Sequence, residues 1–453
     1  MKNKCFRLIC AFLCLCTLCP VIVGCAINGS DGSCVSTEPD QPQMTDASTE
    51  PDYAPMNGAA VEYLTAREFA PDRTAGEVSK AFREAYADFA LKLMNESRSD
   101  FDGDALLVSP LSAMLALAMA ANGAEGATLG EMKATLGGGM SVEKLNEQLF
   151  NYTSSLVSTD DAKFNLANAV WVTSSPTFKV NKNFIQTVEN TFDADIVAAD
   201  MGDKATVDAI NGWAKEETFG MIPKILEYDS ISDATVMVLL NALALDALWE
   251  NQTDDYACFE DVFNGKEKAT FMWTECNGYV EGKNVTGIVK NYMGGNYAFL
   301  ALLPEGDVYE YAASLDGEEL LKLYDKRKTA KYNAVEISAK MPHFKFECTV
   351  NLIPVLQRMG INTAFDSRAE LGGLGTSDLG ELFIDGAIQK TFIELDNSGT
   401  RAAAVTAITV VPECAPSDKI ERYRVELDRP FIYAIIDTAN GLPVFLGVCE
   451  NVG

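Results

Sequence analysis

The chain of 453 residues holds one histidine, His343, in Lys340-Met341-Pro342-His343-Phe344. A Ser-His-Asp or Cys-His hydrolase would need that imidazole as its general base. No Gly-x-Ser-x-Gly elbow accompanies it, and no spacing singles out a carboxylate pair among the 65 acidic residues. His343 therefore reads as a strand-end surface residue, with a His343-dependent hydrolase as the competing reading. Gly137-Gly138-Gly139 and Gly372-Gly373-Leu374-Gly375 lack the Lys-Ser/Thr pair that completes a phosphate loop, and read as turns. Cys34, Cys258, Cys276, Cys348, Cys414 and Cys449 contain no Cys-x-x-Cys pair, which argues against a structural zinc site. They read as isolated thiols, with a Cys258–Cys276 hairpin bridge as the alternative. No cofactor or metal is expected.

The chemistry worth having lies in the backbone of residues 397–407, Asn-Ser-Gly-Thr-Arg-Ala-Ala-Ala-Val-Thr-Ala. Small, β-tolerant residues make a segment that can be a loop in one state and a strand in another. At strand period one face carries Thr400, Ala402, Ala404, Thr406, Ile408 and Val410, all uncharged, and Arg401 falls on the other. Ala403 also falls on that second face. A strand entering a sheet over a core needs this asymmetry, because a buried unpaired charge is very costly.

The surroundings suit such a role. Hydrophobic residues are 48% of the chain, enough for a large core. Net charge is −29, which repels phosphate backbones and argues against nucleic acid. Phe82, Tyr86, Phe89 and Leu93 recur at helical spacing, and Leu111 to Ala121 reads as a buried helix. Residues 165–172, 236–245 and 335–341 read as strands. Residues 432–436 and 444–448 read as a hairpin about Asn440-Gly441. Helices dominate early and strands late, the α+β pattern.

The first residues read as a secretion signal: Lys2, Lys4 and Arg7, then an apolar run to Val23. The run ends Ile22-Val23-Gly24-Cys25, which resembles the bacterial lipoprotein cleavage box. Lipidation of Cys25 would hold the chain to a membrane without a spanning helix. Residues 26–60 are rich in Ser, Thr, Asp, Pro and Gly and read as a disordered tether. The expected organisation is a leader over 1–24, a tether over 25–74 and a folded domain over 75–453.

The hinge stretch resembles that of the serpins, and other motifs follow in the same order. They are Ser109-Pro110-Leu111-Ser112 with Gly123-Ala124-Glu125-Gly126-Ala127-Thr128, then Asn211-x-Trp213, Thr218-x-Gly220 and Ile222, then Asn241 and Trp249. Pro342-His343-Phe344-Lys345, Arg429-Pro430-Phe431 and Phe445-Leu446-Gly447 complete the series. The resemblance spans roughly residues 75–453. It implies the serpin fold: three β-sheets, about nine helices and an exposed reactive-centre loop. It implies a monomeric protein that is no enzyme but a suicide substrate for an extracellular serine protease. The attacker cleaves the loop, and the cut loop inserts into the main sheet before the acyl-enzyme hydrolyses.

By the same resemblance the residue before the cut lies about fourteen positions beyond hinge Gly399, giving Glu413-Cys414 as the reactive bond. Gly399, Thr400, Ala402, Ala403, Ala404 and Thr406 form the hinge. Neighbouring Ala and Val suit elastase-like or subtilisin-like clefts, whereas Glu413 suits a glutamate-preferring protease. Inhibition of cysteine proteases and a non-inhibitory carrier role are the other readings. Three residues depart from the family pattern. Asn397 stands for a glutamate that makes a salt bridge at the top of the sheet, Gln389 for a histidine under its centre, and Ala105 for an asparagine.

Overall fold

The computed structural model describes residues 61–64, 74–101, 103, 105–378, 380–400 and 420–452. The leader, Cys25 and most of the tether lie outside the described residues, as do Ala402, Ala403, Ala404, Thr406, Glu413 and Cys414.

Helices begin where the apolar period says they should. Lys80–Ser97 buries Phe82, Tyr86, Phe89 and Leu93, and the Ser79 hydroxyl caps it by accepting from Phe82 N. Pro110–Ala121 is capped by Ser109, starts with proline in its first turn and is buried along nearly its whole length. Nine α-helices occur among the described residues. None is long and apolar enough to cross a membrane.

Two seven-stranded sheets and one of four strands carry the fold, and a two-stranded ribbon adds a fourth sheet to the three expected. The ribbon pairs Gly375–Ser377 with Phe178–Val180. A Cβ at Gly375 would lie 2.6 Å from the Lys179 carbonyl, so the glycine read as part of a turn is what lets the two backbones meet. Gly138, in the other glycine cluster, is the left-handed cap of Gly126–Gly137, as a turn reading requires.

In the main sheet the order is Glu62–Tyr63, Ala194–Ala199, Ala162–Thr173, Met237–Leu248, Gly399–Thr400, Ile388–Leu395, Phe344–Asn351. Its strands overrun the expected limits by up to three residues at an end. The Glu62–Tyr63 strand falls inside the stretch read as tether, a correction to that boundary. Its pairing to Val197 and Ala198 is made by backbone on a free edge, and two residues leave no periodic signature.

The larger core lies behind this sheet and unites the helix Lys80–Ser97 with the second sheet. A smaller cluster lies on the other face, where Ile210, Trp213 and Ala214 of the helix Lys204–Glu217 meet Leu240 and Ala242. The Asn-x-Trp…Thr-x-Gly-x-Ile block builds this second layer. Asn211 Oδ1 accepts from Ile225 N and Leu226 N at 2.7 and 2.9 Å, and the Thr218 hydroxyl accepts from Ile222 N at 3.0 Å.

Candidate functional site

The site is a gap in the main sheet. Met237–Leu248 and Ile388–Leu395 form its two walls, and no pairing joins one directly to the other; Gly399–Thr400 stands between them. Thr400 pairs with Leu395 on one side and Ala247 on the other, and Gly399 pairs with Leu248. Below Thr400 lies a cavity of about 10 Å³ lined by Leu243, Leu245, Ile393 and Phe445. A second of about 70 Å³ follows, lined by Asn241, Leu240, Gln389 and Thr391. The helix Lys204–Glu217 and the segment after it contribute Ala214, Thr218 and Ile222 to that lining.

The upper end is closed by a tight turn. Asp396 Oδ1 accepts from Ser398 N and Gly399 N at 2.7 and 3.1 Å, and Asp396 N donates to Gly399 O at 3.0 Å. A Cβ at Gly399 would lie 2.1 Å from the Ala247 carbonyl, so only glycine lets the returning chain approach the wall. Thr400 is 3% exposed and its hydroxyl is bonded to that of Tyr292. Tyr292 is stacked on Trp249 with centroids 4.4 Å apart. Trp249 in turn grips the turn, donating from Nε1 to Asp396 O at 2.8 Å and from N to Ser398 O at 2.9 Å.

Asn397 ties down the top of the sheet by hydrogen bonds from an uncharged amide, one of them to a carboxylate. Its Nδ2 donates to Thr253 O and Asp255 Oδ1, both at 2.9 Å, and its carbonyl accepts from Thr253 N at 3.0 Å. His343 is half-buried between two strands of different sheets, not a free surface residue, because Cys258 covers it with Sγ 3.9 Å from Nε2. Burial pushes the His343 imidazole down, partly offset by Asp396. Burial pushes the Cys258 thiol up, reinforced by Asp255 and Asp396. Both shifts favour the neutral pair over thiolate and imidazolium, the opposite of what a cysteine nucleophile requires. Cys258 and Cys276 are both free thiols, so the hairpin bridge is absent.

Lower down, Gln389 ties one wall to the layer behind. Ser109 N donates to Gln389 Oε1 at 3.0 Å, and Gln389 Nε2 donates to Ser109 O at 2.8 Å. The amide thus satisfies a helix-cap residue in both directions, with its acceptor and its donor side by side on one group. Thr391 adds a bond from its hydroxyl to Leu107 O at 2.9 Å. Ala105 is buried in the strand beside Cys449 and presents no polar group there. On the opposite wall Asn241 Nδ2 donates to Asn168 Oδ1 at 2.8 Å. Asn241 Oδ1 is buried without a hydrogen-bond partner, at the lining of the larger cavity.

Sequence reasoning put Thr400 on the face meant for the core, and Thr400 is buried. It did not find Tyr292, which stands just past the Val285–Asn291 strand and has no distinctive spacing. It also missed the partnership of Asn397 with Thr253, which are 144 positions apart.

Residues 84–452 match the family model described as serpin (serine protease inhibitor). The leukocyte elastase inhibitor of Homo sapiens is 27% identical over 375 residues, covering 79% of this chain and 96% of that one. Neuroserpin of Homo sapiens is 27% identical over 392 residues, covering 80% and 90%. Among solved structures, the thermophilic serpin tengpin in its native state is 37% identical with a TM-score of 0.77, covering 86% of this chain and 99% of that one. The latent state of tengpin matches at 35% identity and a TM-score of 0.72, covering 84% and 100%. A split main sheet, a hinge glycine at its mouth and a match running through the domain carry one conclusion: this chain belongs to the serpin family, whose members here are protease inhibitors and not enzymes.

Proposed function

We propose that this serpin is a suicide-substrate inhibitor of extracellular serine proteases of elastase or subtilisin type. The observation that carries the reading is Gly399–Thr400, already paired to both walls at the mouth of a gap that no other described strand bridges. Continuing that register sets Ala402 opposite Leu245 and Ile393, and Ala404 opposite Leu243 and Thr391. Thr406 then falls opposite Asn241 and Gln389, where its hydroxyl can donate to the unpartnered Asn241 Oδ1. Each facing residue is small, as a gap between two formed strands demands.

The same register ends at Val410 opposite Met237, the first residue of its wall. A cut at Glu413-Cys414 frees just enough chain to fill the gap from top to bottom. The protease serine attacks the Glu413 carbonyl, the bond to Cys414 nitrogen breaks, and an ester links enzyme to Glu413. Insertion of Gly399 to Val410 at about 3.3 Å per residue carries that ester roughly 40 Å before water hydrolyses it. Arg422 and Arg424 are poor competitors for the cut. They lie in the Glu421–Glu426 strand, bonded to Glu336 at 2.8 Å and paired with Glu426 at 3.3 Å. The relatives named as elastase inhibitors support the target class.

The leader, lipidation at Cys25 and the tether complete the proposal, placing the inhibitor on the outer face of a bacterial membrane. Mass spectrometry of the mature N-terminus tests that part. Incubation with pancreatic elastase or subtilisin, followed by a denaturing gel, tests the rest. A band at the summed mass, resistant to boiling, is the expected result. Clean cleavage without such a band would instead favour a non-inhibitory carrier.

A further inference from the structure

Lys290 is a charged residue where the fold has no evident place for one. It lies in the Val285–Asn291 strand at 1% exposure. Its Nζ donates to Asn251 O at 2.7 Å, to Thr274 Oγ1 at 2.8 Å and to Glu275 O at 3.0 Å. It stands 5.3 Å from the centre of the Trp249 ring. All three acceptors are uncharged oxygens, and a buried ammonium with only such partners is expensive to keep.

What it holds is the segment that grips the hinge. Asn251 lies between Trp249 and Thr253, the two residues that bond the Asp396-Asn397-Ser398 turn. The Thr253 hydroxyl donates to Thr274 Oγ1 at 2.7 Å, the same oxygen that Lys290 uses. One amine thus fastens the 249–254 segment to the Glu267–Glu275 strand, directly at Asn251 and through Thr274 at Thr253. We infer that Lys290 is a positioning residue for the hinge, holding the 249–254 segment against the turn that precedes Gly399. Its importance for trapping a protease rests on the loop inserting as proposed above; the hydrogen bonds themselves do not.

The match of donors to acceptors depends on protonation. An ammonium has three N–H groups for three oxygens, whereas a neutral amine has two, so one of the three bonds is lost. Burial pushes Lys290 down to about 8. The titratable groups around it are Cys276, Glu275 and Glu250. Burial pushes the Cys276 thiol up to about 12, so it stays neutral through this range. The Glu250 carboxylate accepts from Asn277 Nδ2 at 2.9 Å and Asn291 Nδ2 at 3.2 Å. Lys290 is therefore the group that changes charge near pH 8 within this cluster.

Hydrogen exchange of the intact chain, resolved to the peptide covering 249–254 and corrected for intrinsic rates, tests the inference from pH 6.5 to 9.5. Protection against local opening of this segment, in which Lys290 itself stays buried, should fall about fivefold through pH 8, the effect of one hydrogen bond. In Lys290→Met protection should be low and without a step. In Lys290→Gln, which keeps two N–H groups and no charge, it should be intermediate and without a step. A wild-type profile without a step, or a step that survives in either variant, overturns the assignment. Should Lys290→Met fail to fold, the wild-type and Lys290→Gln profiles decide alone. Covalent complex formation with subtilisin is scored separately at pH 7. Its absence would remove the proposed inhibitor function and leave the exchange result to judge Lys290.

Discussion

Thr400→Arg separates folding from trapping more sharply than any other change. Thr400 faces the core between Leu395 and Ala247, with its hydroxyl on Tyr292. An arginine there must either stay outside the sheet or bury a guanidinium on its core face. In the uncut protein the first option is open. The hinge retreats by two residues at the loss of the Tyr292 bond and two short pairings, about 2–3 kcal/mol. In the cut protein insertion begins at this position, before any of the later strand has gained its bonds. Burying the unpaired charge costs about 4 kcal/mol, which slows the first step by roughly 10³. Hydrolysis of the ester then wins, and the inhibitor becomes a substrate. The assay is titration of subtilisin with wild type and variant, reading residual activity and the covalent band. We expect the variant to melt a few degrees lower, to be cleaved at an undiminished rate and to give almost no complex. An undiminished yield of covalent complex would refute the insertion mechanism as drawn here.

Other outcomes follow from the same geometry. The chain nicked near Glu413 should melt far above the intact one, because filling the gap adds ladder bonds on two sides and closes the cavities; an unchanged calorimetric midpoint would mean the uncut sheet already sits at its lowest energy. Gly399→Val should destabilise the uncut protein by about 2 kcal/mol or more, since its Cβ would meet the Ala247 carbonyl, and urea unfolding measures it. Lys290 also predicts a global effect of known sign. Its folded pKa lies below its unfolded one, so between about 8 and 10.5 the unfolded chain holds the extra proton and stability rises with pH, by about 3 kcal/mol at most. The wild-type urea midpoint should therefore rise relative to that of Lys290→Met as pH goes from 7 to 10, and a constant difference would contradict the burial argument. Gln389→Leu leaves Ser109 N without its partner and removes one of the two donors to Ser109 O, the other being Ala113 N, so a loss of about 1–3 kcal/mol is expected in the same assay.

Local sequence was enough for everything that depends on period and on single-residue geometry. The spacing of Phe82, Tyr86, Phe89 and Leu93 declares a helix because four side chains on one stripe must be buried together. Alternation from Thr400 onward declares which side of the segment is uncharged at strand period, and Thr400 is itself buried. The alanines and the glycine are legible for the same reason, since smallness is a property of the residue itself. Motif order adds the family, and with it the expectation of a split sheet.

Tertiary structure alone decided how that sheet is latched. Asn397 looked like the loss of a salt bridge, yet the fold brings Thr253 and Asp255 to its side-chain amide and backbone carbonyl, which together make three hydrogen bonds. Gln389 looked like a missing imidazole and proves to be a two-way clasp on Ser109, 280 positions away. Lys290 sits in an ordinary strand where nothing in its neighbours foretells burial, and only the crossing of two sheets under Trp249 makes it a hub. Short-range periodicity records which way a side chain must point. It carries no information on which distant oxygen will be waiting there, because that pairing is fixed by the packing of whole layers.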